Sequence, residues 1–102
     1  MVDLMQLNKL EKYLKDNGYV YERIDRYEGD TFHDRHQLNV YEGRRKNGAF
    51  GRFLWDAICH FGSYGYEDGL LEIYGNIVDP KKDGDTVVGH LTAADVIKRL
   101  EK

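Results

Sequence analysis

At 102 residues the chain is sized for one domain, and 41% hydrophobic against 32% charged residues, with 13% aromatics, excludes an intrinsically disordered composition. No apolar run approaches the roughly 18 residues needed to cross a bilayer, and MVDLMQLNKL, with an acid at position 3, does not read as a secretory leader. A net charge of −3 argues against general nucleic-acid binding, and a single cysteine excludes an internal disulfide or a multi-cysteine metal site.

The spacing predicts a helix over residues 3–17. Leu4, Leu7, Leu10 and Leu14 recur at three- and four-residue steps, Asp3 suits the start, and Gly18 after Asn17 suits the stop. Residues 19–27, YVYERIDRY, alternate and are rich in strand formers. Residues 28–36 read as a polar connection, and 37–42 as a short strand with Leu38 and Val40 on its core face. The run GRRKNGAFG carries Asn47-Gly48, a hairpin signal, and four basic residues, Arg44, Arg45, Lys46 and Arg52, that read as a solvated tip. Residues 52–61 and 70–78 read as strands separated by the loop GSYGYEDG, and DPKKDGD as a turn into a short strand, TVVG. In LTAADVIKRLEK, Thr92 with Asp95 three residues on forms an aspartate variant of the capping box, with Leu91 placed to staple onto Val96. Helix, about five strands, helix predicts an α+β two-layer sandwich. An antiparallel sheet of four to five strands would carry both helices on one face, in a single domain over 1–102.

Side-chain alternation locates the candidate surface. In 53–61 the odd positions Phe53, Trp55, Ala57, Cys59 and Phe61 are all apolar and mark the core face. Cys59 is therefore expected to be buried and inert, and a Cys59–His60 pair is excluded because neighbours point opposite ways. If the strands at 37–42, 53–61 and 70–78 are neighbours, the far face gathers Gln37, Asn39, Tyr41, Asp56, His60, Glu72, Tyr74 and Asn76, with Tyr64 and Tyr66 in the loop at its end. Tyrosine combines a rigid apolar body with a polar tip, so this face is expected to bind a protein partner. The candidate contact residues are Tyr41, Asp56, His60, Tyr64, Tyr66, Glu72 and Tyr74. The bland counterpart is an ordinary solvated sheet face.

Two other readings stand beside it. Asp56, His60 and Glu72 carry the residue types of acid–base chemistry, and an open face or edge strand suits self-association. HDRH, residues 33–36, sets two histidines at a spacing that binds metal on a helix, but it lacks helical periodicity and reads as loop. DPKKDGDTVVGH matches a calcium loop at Asp79, Asp83 and Gly84 only, with Lys81 and His90 at ligand positions, so it is read as a turn. No catalytic residue, metal or cofactor is assigned, and no membrane partner is expected.

The run WDAICHFGSYGYEDGLLEIYG followed by DTVVGHLTAADVIKRLE, with YERID and RHQLNVY upstream, resembles small proteins of prophages and mobile elements of Gram-positive gut bacteria. The resemblance implies a cytoplasmic accessory protein and carries over no activity and no site residues.

Overall fold

The computed structural model describes residues 2–27, 29 and 31–101, with the side chain of Thr31 outside the description. The order is α1 (Met5–Asp16), β1 (Val20–Arg26), a 3-10 turn (Thr31–His33), β2 (Arg35–Tyr41), β3 (Phe53–Ile58), a second 3-10 turn (Tyr66–Asp68), β4 (Leu71–Gly75), α2 (Pro80–Asp83), β5 (Val87–Leu91) and α3 (Ala93–Leu100). The five strands form one antiparallel sheet in the order β1-β2-β3-β4-β5. Each strand thus lies beside its sequence neighbour, as short connections dictate. α1 and α3 pack against one face and against each other, which is the α+β two-layer arrangement.

The leucine stripe of α1 explains its docking: Leu7, Leu10 and Leu14 are fully buried against Leu38, Val40, Trp55, Ala57, Leu71 and Ile73. Asp3 accepts the Met5 N–H at 2.9 Å and takes up one first-turn donor. Beyond the C-terminus Gly18 is left-handed (φ 72°) and the chain reverses into β1. In α3 the Thr92 hydroxyl accepts from the Asp95 N–H at 3.2 Å while the Asp95 carboxylate accepts from the Thr92 N–H at 2.9 Å, so the capping box is complete.

Three local readings need correction. β2 begins at Arg35, inside the segment read as a polar connection, so His36 continues the core face of Leu38 and Val40. The pairing of β2 with β3 shifts register between Val40 and Tyr41, where Tyr41 pairs with Phe53. This bulge breaks the alternation. Leu54 packs against the core, and Phe53, expected inside, is 40% exposed and meets Tyr41 edge-on at 6.3 Å. The DPKKDGD turn contains one helical turn, α2. Asp79 accepts from the Lys81 N–H at 3.0 Å, and Asp83 is held by both terminal nitrogens of Arg99 at 3.0 Å.

The Asn47-Gly48 hairpin has a three-residue loop: Arg45 N–H donates to Ala49 at 2.7 Å and Gly48 N–H to Arg45 at 2.9 Å. Gly75 stands opposite Trp55, and a Cβ there would lie 2.5 Å from Leu54 O and Trp55 Cα. No helix among the described residues is long and apolar enough to cross a membrane.

Candidate functional site

The register places the far face of the sheet in rows. Glu22, Asn39, Asp56, Tyr74 and Val87 pair in turn across all five strands. The adjacent row is Ile24, Gln37, Ile58 and Glu72. Tyr41 and Phe53 continue the face toward the hairpin, and Arg26 and Arg35 pair at the opposite end. β2, β3 and β4 are neighbours, so the polar positions of the three strands do share one surface.

That surface is cross-linked. Tyr41 OH donates to Glu22 Oε1 at 2.8 Å, and Gln37 Nε2 donates to Asn39 Oδ1 at 2.6 Å and to Asp56 Oδ2 at 3.2 Å. The Tyr41 ring stacks on Phe50 at 4.3 Å with only 10° between planes, and the Arg44 guanidinium lies 4.6 Å over the other aromatic, Phe50. Such stacks fix side chains that would otherwise lose rotamer freedom on binding. Tyr74 and Tyr64 project furthest, 51% and 59% exposed. The Tyr64 backbone N–H donates to Glu72 Oε1 at 2.9 Å, and its ring lies beside His90, whose φ is +57°.

His60 is fixed as a neutral tautomer. Its Nδ1 accepts the His36 backbone N–H at 3.0 Å, leaving Nε2 to donate to Gln37 Oε1 at 3.2 Å. Burial, reinforced by the charges of Arg35 and His36, lowers its pKa to about 4. No lone pair remains for taking a proton, so the Asp56/His60/Glu72 set lacks a base at His60. Asp56 is pushed the other way: burial, with the charge of Glu72 adding, raises its carboxyl to about 6 against the Gln37 hydrogen bond.

Tyr66 does not belong to this face. It is 8% exposed, and its hydroxyl donates to Asp34 Oδ2 at 2.6 Å. Burial and that carboxylate push the phenol up to about 12. Asp34 in turn receives His36 Nε2 at 2.6 Å, and His36 Nδ1 lies 2.6 Å from Asp25 Oδ1. Asp25 also accepts from Arg23 Nε at 3.0 Å; burial alone would raise its carboxyl, and the His36 and Arg23 hydrogen bonds hold it below its usual value. A chain of Tyr66, Asp34, His36, Asp25 and Arg23 therefore runs through the end of the core. Alternation alone could have exposed His36, since 36, 38 and 40 share a face; Asp34 and Asp25 carried no local signal.

His33 is exposed and His36 buried, so the two histidines of HDRH diverge. Among the described residues no group of three or more His, Cys, Asp and Glu is placed to hold a metal ion. Cys59 is fully buried, and burial, then the charges of Asp34 and Asp3, push its thiol up to about 11. Its link to His36 is a backbone bond, Cys59 N–H to His36 O at 2.8 Å, and not a thiol–imidazole pair. Compared with protein-family models, with curated proteins and with solved structures, the chain gives no match in any of the three.

Proposed function

We propose that the chain is a small protein-interaction module whose open sheet face docks a protein partner. The observation that carries this reading is the sidedness of the sheet. Both long helices cover one face, and the other presents five strands of ordered polar and aromatic side chains. Glu22, Asp56 and Glu72 make its centre acidic, with Tyr41, Phe53 and Tyr74 around them. A surface bearing lysine or arginine between apolar side chains complements that pattern. A second copy packed face to face would set carboxylate against carboxylate, which disfavours self-association through this surface. The resemblance to mobile-element accessory proteins fits a partner-dependent role.

The test is capture from bacterial lysate by the wild type and by a folded Tyr41→Ala/Tyr74→Ala variant, with mass spectrometry of the retained proteins and titration of any hit. A protein held by the wild type, released by the variant and weakened by salt supports the module. Equal retention by both, or no specific retention, counts against it.

A further inference from the structure

A cleft of about 630 Å³ opens on the helix side of the molecule, away from the open face, between the segment ahead of α1, the end of β1 and the second 3-10 turn. Its volume is in the range of small-molecule sites. Val2, Leu4, Tyr27 and the ring of Tyr66 give it apolar and aromatic walls, Glu67 stands at its edge, and Asp34 and His36 form its inner wall. Those last two are 5% and 8% exposed. Apolar side chains of similar volume can hold a core end as well as buried hydrogen-bonded polar groups do, so stability alone is a weak reason for a carboxylate and an imidazole here.

The hydrogen-bond inventory sets the ligand's chemistry. Both ring nitrogens of His36 lie 2.6 Å from carboxylate oxygens, of Asp25 and Asp34, so neither is left for a ligand. The Tyr66 hydroxyl hydrogen is engaged by Asp34. Among the described residues, what remains on the inner wall is acceptor capacity: the second lone pairs of the Asp34 carboxylate and the oxygen of Tyr66, with the Glu67 carboxylate outside them. Among the described lining residues an anion or a carbonyl would meet one side-chain donor, the exposed Tyr27 hydroxyl, and none on the inner wall. A charged group that only donates, next to aromatic faces, would be matched on every side.

We propose that this cleft binds an ammonium group carried on an apolar body, with Asp34 and Glu67 accepting its hydrogens and Tyr27 and Tyr66 flanking it. The ammonium can come from a free amine or from a lysine side chain, and the test separates them. Amide chemical-shift titrations of the full chain would use 2-phenylethylamine for the free amine, Nα-acetyl-lysine-N-methylamide for the side chain, and 3-phenylpropionate as the anion of similar shape. The expected result is saturable shifts at Val2, Leu4 and Glu67 with at least one amine, at a Kd on the order of 1 mM or below. Glu67→Gln, at an exposed position, should weaken binding about fivefold, roughly one carboxylate contact, and Asp34→Asn more if it folds. Binding by one amine alone identifies the source. No saturable shift with either amine, equal binding of 3-phenylpropionate, or unchanged affinity in Glu67→Gln overturns the proposal.

Discussion

Asp56 and His60 lie on the same face and titrate in opposite directions. Asp56 has a folded value raised to about 6, so the stability linked to it is present below its ordinary value of 3.8 and is lost as pH rises through 6. His60 has a folded value lowered to about 4, so its contribution is present above its ordinary 6.5 and is lost as pH falls through 4. The two slopes oppose each other between those limits. Asp56→Asn keeps the shape and the Gln37 contact while removing the charge. It should stabilise the protein at pH 7 by about 1–2 kcal/mol, a discounted part of the shift, and leave it unchanged near pH 3.5. Stability of the variant should then fall more steeply than that of the wild type from pH 6.5 to 4, with His60 unopposed. Thermal melts across that range check this; a variant less stable at pH 7 would contradict it. That Asp56 faces away from the core was legible from its place between Trp55 and Ala57. That it is half-covered was not, because the cover comes from Gln37 on β2 and Glu72 on β4, which are distant in sequence.

At the level of elements, the signals of α1 and α3 were local and complete in the sequence, whereas the single turn of α2 was read as a plain turn. The α1 stripe, Gly18 and the Thr92–Asp95 box all act within one or two turns, so neighbours in the chain decide them. The strands followed alternation only as far as the register was regular. The bulge opposite Tyr41 turned Phe53 outward and Leu54 inward, and two overlapping parities in FLW cannot be told apart until β2 is paired alongside. The bulge also depends on what stands on the other side of β3. Gly75 has φ +122° and no room for a Cβ, with Leu54 O and Trp55 Cα both at 2.5 Å, whereas Gly48 (φ +87°) faces open space. Gly75→Ala should therefore cost about 3 kcal/mol or more, backbone strain and overpacking together. Gly48→Ala should cost about 1 kcal/mol, from its left-handed backbone alone. Urea unfolding of the two variants measures the gap, and equal losses would mean that β4 can move away from β3.

Across the whole molecule, each strand pairs with its sequence neighbour, so β2, β3 and β4 have partners on both sides and β1 and β5 form the edges. The amides of Leu38, Val40, Ala57 and Ile73 should exchange with solvent most slowly, near the global unfolding limit, and those of β5 much faster. Hydrogen-exchange NMR tests that order; slowest exchange in β5 would mean that a partner or second copy covers that edge. What the sequence by itself determined is the two terminal helices with five strands between them, the two-layer α+β arrangement and the side of each regular strand, because periodicity and caps are written in adjacent residues and short connections leave few topologies. Only the tertiary structure decided that Tyr66 leaves the open face and that His36 lies between Asp34 and Asp25. These depend on side chains that meet from β1, β2 and a 3-10 turn some thirty positions further on, and no local pattern records which distant carboxylate a buried histidine will meet.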